Sequence, residues 1–424
     1  MTLKSKLNIT MVSECRRFSE MKKILFVYHT SVIGGGSYCL LNIIKAIDQK
    51  KYKLMVLLRE PGPLVGELKA LGAEVFFIPQ IRCVPYNSST VKIWALRNAW
   101  SIINSFGPYK KLLREIAPDL VYINTMMLYP YLRPAKKMGI KTAIHVREHW
   151  PEKEHIHQRN IAISHIRKYA DEIVAINAYS SSMIEDAVHH PVIVHDWIDM
   201  SERDEPIDLN NVFGEDVSQK KIYLYMGGMQ HAKGPLQVIS AFTRCVEDKD
   251  SRLLVMGIDP KQQFVEKKRS FPIRLLRLLL RHKSKIDTTR ASIIDMINSD
   301  KRIRCMPNTY MVGNLFRQAY CNLSFFTIPH ANLALAESII CGTVNVAAKT
   351  PESIEYSNNG ELALLYEFGN EEDFAAKIHS LSKCYDQMIE KIRKGSCAVS
   401  EMFDRERNSK ILNDLIDRTL NNEE

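Results

Sequence analysis

The chain has 424 residues, 46% hydrophobic and 25% charged, enough for two or three domains that each bury a core. No run approaches about 18 uninterrupted apolar residues, which argues against a membrane-spanning helix, and none of the nine cysteines forms a C-x-x-C pair or a zinc-spaced cluster with histidines. Of the formal net charge of +10, most lies in residues 261–290, with ten basic side chains against two acidic ones, a local surface contact more than a nucleic-acid footprint.

Residues 1–20 are mixed polar, lack the apolar core of a signal peptide, and read as a loose extension ahead of Met21. Short apolar runs then alternate with helical patterns, the signature of a parallel α/β architecture. Strands are predicted at 23–28, 53–58, 74–78, 120–123, 142–146, 173–176 and 192–194, then at 222–226, 252–256, 303–305, 323–326, 344–347 and 363–366. Runs such as Ile24–Val27 and Leu253–Met256 are continuous, as in strands covered on both faces. The pattern restarts near residue 220, after a polar stretch at 199–219 that reads as a linker. The expected organisation is two Rossmann-like domains, 21–198 and 220–399, and a terminal helix over 400–424. Cysteines inside apolar runs (Cys305, Cys321, Cys341) fit buried thiols in a reducing, cytoplasmic compartment.

Three segments carry candidate chemistry. After the first strand, Gly34, Gly35 and Gly36 precede a helix with Leu40, Leu41, Ile43 and Ile44, a geometry that brings an anion or sugar to backbone N–H groups. The spacing is not G-x-G-x-x-G, which disfavours a dinucleotide. After Tyr223–Met226 come Gly227, Gly228, Lys233 and Gly234, and Lys233 stands just before a helix, where its ammonium can reach a phosphate. After the strand at 323–326, His330, Asn332 and Leu333 lead into a helix in which Glu337 interrupts apolar residues, a costly place for a carboxylate without a partner or ligand. A ribose suits Glu337, and the helix start near Asn332 suits a diphosphate.

In order, these elements resemble the retaining family 4 glycosyltransferases of the GT-B fold. Further matches are Pro118–Asn124, Ala170–Ile176, Asp196–Asp199, Ala336–Thr343 and Glu355–Tyr366. The resemblance covers roughly residues 21–415. It implies two facing Rossmann-like domains, with closure hinged near 197–219 and before the last helix, and a UDP- or GDP-linked sugar donor. No metal or other cofactor is implied, and transfer proceeds with retention. Lys233 matches the lysine on the donor diphosphate, Glu337 the glutamate that holds the donor ribose, and Gly34–Gly36 the loop beside donor phosphate and acceptor. Asp199 matches an aspartate at the domain crossing. Two positions depart from the pattern: Gly228 stands where the family has an arginine, and Pro329 where it has a first glutamate, with His330 adjacent. Ile144–Trp150 resembles a functional strand end, occupied either by His145 or by Arg147 and Glu148; an ion pair of Arg147 with Glu148 or Glu152 is the purely architectural alternative.

Phe271–Lys285 reads as a basic amphipathic helix with Arg274, Arg277 and Arg281 on one face, so an anionic membrane surface is expected along 267–285 and a peripheral place on its inner face. Trp94, Trp100, Tyr109, Lys110 and Lys111 lie in the first, acceptor-side domain, which points to a glycan or lipid-linked acceptor in surface polysaccharide or glycoconjugate synthesis. The rival readings are a catalytically degenerate nucleotide-sugar binder and a nucleic-acid binder using 261–290.

Overall fold

Why the apolar runs are continuous becomes plain once both faces of each sheet are seen to be covered. The computed structural model describes residues 21–84, 92–151, 156–200, 203–258 and 285–421. The first seven strands are β1 (Lys22–Val27), β2 (Tyr52–Leu58), β3 (Glu74–Phe77), β4 (Leu120–Ile123), β5 (Lys141–Val146), β6 (Glu172–Ala175) and β7 (Val192–Ile193). They form one sheet in the order β3-β2-β1-β4-β5-β6-β7. β8 (Lys221–Tyr225), β9 (Ser251–Met256), β10 (Ile303–Met306), β11 (Cys321–Leu323), β12 (Val344–Lys349) and β13 (Leu364–Glu367) form a second, in the order β10-β9-β8-β11-β12-β13. Every pairing is parallel.

The first sheet is joined by α1 (Gly35–Ala46), α2 (Leu64–Ala70), α3 (Lys92–Ile116), α4 (Leu132–Lys137), α5 (Ile156–Tyr169) and α6 (Ala178–Ile184). The second carries α7 (Leu209–Phe213), α8 (Pro235–Cys245), α9 (Lys285–Ser299), α10 (Val312–Gln318), α11 (Leu333–Ile340), α12 (Pro351–Tyr356) and α13 (Glu371–Met402), and α14 (Arg405–Asn421) ends the described chain. Leu25, Val27 and Ile123 pack on one face of the first sheet with Tyr131 and Trp150; Phe26, Val56 and Tyr122 pack on the other with Leu40 and Ile44 of α1. In the second sheet Tyr223 and Val255 pack against Phe242 of α8 and Phe374 of α13, while Leu224 and Leu254 face Phe213 and Phe316. Burial of each such side chain contributes about 1.5–3 kcal/mol.

The chain separates into two compact units: residues up to Trp197 together with the segment from Arg405, and Ile198–Asp404. α14 therefore returns to the first unit, where Leu412, Leu415 and Ile416 join the core, Asn408 Oδ1 accepts the His195 N–H at 2.9 Å, and Asp417 pairs with Lys51 at 3.1 Å.

Three expectations change. The stretch 199–219 is no linker in its described part: it includes α7, capped by Asp208 and stopped at Gly214, and belongs to the second unit. The strand expected at 323–326 is Cys321–Leu323, because buried Asn322 is part of the sheet: its Nδ2 donates to Asn345 Oδ1 of β12 at 2.8 Å, an amide pair that hides a polar residue in a strand. The extension 1–20 and nearly all of the basic segment 261–290 lie outside the described residues, which resume with α9. Among the described residues no helix is long and apolar enough to cross a membrane, and no disulfide is present.

Asn345 Oδ1 also accepts from Ser338 Oγ at 2.6 Å, and its Nδ2 donates to Thr343 O at 2.8 Å. Removing it strands the Asn322 amide in a buried place. Asn345→Ala is expected to cost about 2 kcal/mol, read as a lower urea midpoint of the second unit, with Ala substitution of exposed Asn104 as the silent control.

Candidate functional site

In both sheets the strand order reverses, between β1 and β4 in the first and between β8 and β11 in the second. Loops leaving two such neighbours turn to opposite faces and leave an opening at the carboxyl ends of the strands, where α/β sheets take their ligands.

In the second unit the flanking loops are 226–234 and 324–332. Gly228 has φ +55° and donates its N–H to Met256 O at 2.9 Å; a Cβ there would stand 3.0 Å from Gly257 O. Gly227 is crowded by Tyr225 and the Lys233 Cβ. The backbone at Gly228 is thus bound to its neighbour strand in a left-handed conformation that any side chain would strain. Gly234 has φ +60°, and a Cβ on it would meet the Phe325 ring at 2.6 Å, so only glycine lets the two loops approach. Pro235 then opens α8 with its preset φ. The loops are stitched together by Thr327, whose N–H donates to Ala232 O at 3.1 Å and whose Oγ1 donates to His231 O at 3.0 Å.

This stitching puts Lys233 Nζ 4.5 Å from the centroid of the Phe326 ring, and the His330 ring meets the same phenyl edge-on at 6.0 Å. No carboxylate among the described residues pairs with Lys233. Burial pulls its pKa down to about 8. The loop that carries Phe326 and His330 leads into α11, which starts at Asn332 and Leu333 without a side-chain cap, and the Asn332 Nδ2 is buried with no hydrogen-bond partner. One turn further, Glu337 is 5% exposed. Its Oε1 accepts from Arg203 Nη1, and Arg203 also lies over the Tyr310 ring at 4.7 Å and donates from Nε to Tyr310 O at 3.2 Å. Burial raises the Glu337 pKa, and Arg203 opposes that shift.

In the first unit, Gly34 begins α1 in an extended conformation with no side-chain cap, and Gly34 and Gly35 have open space where a Cβ would be; Gly36 lies over the Tyr28 hydroxyl. Arg147, just past β5, donates from Nη1 to both oxygens of Asp196 at 2.5 and 2.6 Å and from Nε to Asn124 Oδ1 at 3.2 Å. Its partner is therefore Asp196 and not Glu148; Glu152 lies outside the described residues. Glu148 accepts from the Thr125 hydroxyl, from Met126 N–H at 3.0 Å and from Arg147 N–H at 3.1 Å. His145 is 1% exposed, with Nδ1 3.0 Å from the Tyr122 hydroxyl and 3.3 Å from Arg147 Nη2. Burial, then Arg147, holds it neutral. The His145 ring lies beneath the opening, against Arg147. At this end of the sheet His29 Nδ1, Asn124 Nδ2 and His145 Nε2 are buried without a hydrogen-bond partner.

The sequence candidates Gly227, Gly228, Lys233, His330, Asn332, Leu333 and Glu337 thus share the opening of the second unit, while Gly34–Gly36, Arg147 and Glu148, with His145 below, line the first. Sequence reading missed Arg203, Tyr310, Phe326 and Asn124. Arg203 lay in a stretch read as linker, and Phe326 in a run read as strand. In the segment 91–114, Tyr109 is buried, Trp100 is 69% exposed, and the side chain of Trp94 is outside the described residues. No group of three or more His, Cys, Asp or Glu side chains capable of holding a metal occurs among the described residues.

Solved structures share this architecture over nearly the whole chain. Anabaena Alr3699/HepE, solved with UDP and glucose, superposes with a TM-score of 0.69 at 16% identity, over 93% of this chain and 99% of its own. A glycosyltransferase from Rickettsia africae gives 0.65 at 15% identity, over 95% and 99%. Sucrose-phosphate synthase from Thermosynechococcus elongatus gives 0.63 at 12%, over 94% and 98%. No family model matches the sequence, and no curated protein matches it significantly. The chain has the GT-B fold, an α/β architecture of two parallel-sheet units.

A desolvated, unpartnered lysine weakens the fold. Its folded pKa lies below the unfolded value, so stability rises with pH between about 8 and the ordinary lysine value of 10.5. Lys233→Met, which keeps the contact with Phe326, is expected to melt above the wild type at pH 7 without ligand. The gap should close as the pH is raised to 10 in scanning melts.

Proposed function

We propose that the chain is a glycosyltransferase, moving a sugar from a UDP- or GDP-linked donor to a glycan or lipid-linked acceptor with retention. The observation that carries this reading is the unpaired ammonium of Lys233, held at one opening with the uncapped start of α11 and the orphaned amide of Asn332. A diphosphate answers all three: it supplies the missing charge, and it accepts from the helix N–H groups and from Nδ2. HepE with UDP-glucose supports a UDP-sugar as the donor class.

In the proposed reaction the glycosidic bond to the diphosphate breaks through an oxocarbenium-like state, negative charge grows on the leaving oxygen, the acceptor hydroxyl oxygen bonds to the anomeric carbon from the same face, and its proton passes to the leaving phosphate. Lys233 and the first turn of α11 stabilise that charge, and they are already in place before the reaction begins. Glu337 accepts from the ribose hydroxyls. His330, exposed and resting on Phe326, is placed to meet the transferred sugar. Gly34–Gly36 and Arg147 line the acceptor-side unit. The basic segment 267–285 and exposed Trp100 support an acceptor presented at an anionic membrane surface from the cytoplasmic side.

A second reading is a binder without turnover. It is favoured by Gly228, which brings no second cation, and by Pro329, which brings no carboxylate beside the sugar. Calorimetry with UDP, GDP and UDP-glucose, followed by assay of nucleotide release, separates the two. The wild type is expected to bind one nucleoside diphosphate, and Lys233→Met to bind it about tenfold to a hundredfold more weakly. Binding of no nucleoside diphosphate, or an unchanged affinity in Lys233→Met, would overturn the proposal. Binding without release of nucleotide from any nucleotide-sugar would favour the second reading.

A further inference from the structure

Glu337 lies among the fully buried Leu335, Ala336 and Ile339, where a lone carboxylate keeps its proton and loses half of its capacity to accept hydrogen bonds. Arg203 opposes this, pairing with the carboxylate against the effect of burial. Its guanidinium is fixed twice over, by Nε on Tyr310 O and by the face of the Tyr310 ring, so the fork reaches Glu337 already oriented. It occupies Oε1, and no described donor occupies Oε2. The pair stands one turn from the uncapped start of α11 and the unpartnered, 2% exposed Asn332 amide. We propose that Arg203 is a positioning residue for nucleotide recognition: it holds Glu337 as an ionised acceptor whose remaining oxygen takes the ribose hydroxyls of a nucleoside diphosphate. This rests on the nucleotide reading of the same site and adds to it the residue that makes the carboxylate competent.

The other titratable groups near Glu337 do not serve this purpose. Asp204 and Arg317 pair with each other, the Cys341 thiol at the end of α11 is held neutral by burial, and Glu352 is a second buried acid on neighbouring α12. Without Arg203, Glu337 keeps its proton to higher pH, so ribose recognition recovers only as the pH rises.

The test is calorimetric titration of the full chain with UDP and GDP at pH 6 and pH 8, for the wild type, Arg203→Met and Arg203→Lys, with the thermal midpoint of each variant as the check on folding. For whichever nucleotide the wild type binds, the expected ratio of Arg203→Met to wild-type Kd is about tenfold at pH 6 and about threefold at pH 8. Taking the ratio cancels the titration of Lys233 and of the nucleotide. Arg203→Lys restores a cation and should remove the pH dependence of the ratio. An Arg203→Met affinity equal to or tighter than the wild type, or a loss that is the same at both pH values, would overturn the inference and leave the nucleotide reading standing. Failure of the wild type to bind either nucleotide would remove both.

Discussion

A parallel sheet whose strand order reverses has an opening it cannot fill with its own loops, and this constraint organises both units. Between β8 and β11 the two loops do come together, through Thr327 on His231 and Ala232 and through Gly234 under Phe325. Phe326, in one of these loops, carries the contacts of both Lys233 and His330. The glycines at 228 and 234 matter because they permit this seam: each has a backbone conformation or a neighbour that a Cβ would not tolerate.

The charges in the two units are settled differently. In the first, Arg147 is satisfied from within: Asp196 takes the guanidinium in two contacts and Asn124 takes a third, with His145 neutral beside it. In the second, Arg203 is satisfied by Glu337, but Lys233 has only an aromatic face. A cation–π contact is worth about 0.5–2 kcal/mol, less than the cost of drawing an ammonium out of water. The imbalance is local to one side chain, and the N–H groups at the start of α11 also lack a side-chain acceptor. The proposed diphosphate would supply the anion that this cation lacks.

Much of the fold was legible because burial on both faces writes a strand as an unbroken apolar run. Ile24–Val27 and Leu253–Met256 could hardly be anything else, and the runs were placed to within a residue or two. β11 was the exception: Asn322 concealed its start, since an amide paired across strands looks in sequence like a loop residue, and the neighbouring Phe325 and Phe326 looked like strand although they pack in the following loop. In the candidate site, Glu337 stood out as an acid in an apolar helix, and Lys233 as a cation placed just before one. Their surroundings were invisible. Arg203 is 134 residues from Glu337 and lies in a polar stretch whose composition resembles a linker. The architectural alternative for Arg147 paired it with its sequence neighbours Glu148 or Glu152, whereas its carboxylate partner, Asp196, is 49 residues away. Such contacts are set by how the sheet returns the chain, and periodicity carries no record of them.

The account stands on the claim that the second opening holds a nucleoside diphosphate with its phosphates on Lys233 and α11. A crystal structure of the chain grown with UDP tests this most directly. The predicted result has a phosphate oxygen within hydrogen-bond reach of Lys233 Nζ and of the N–H groups at Leu333 and Ala334, with the ribose hydroxyls against Glu337. Nucleotide density lying instead on the glycine turn at 34–36, with Lys233 still stacked on Phe326 and bare of phosphate, would contradict it.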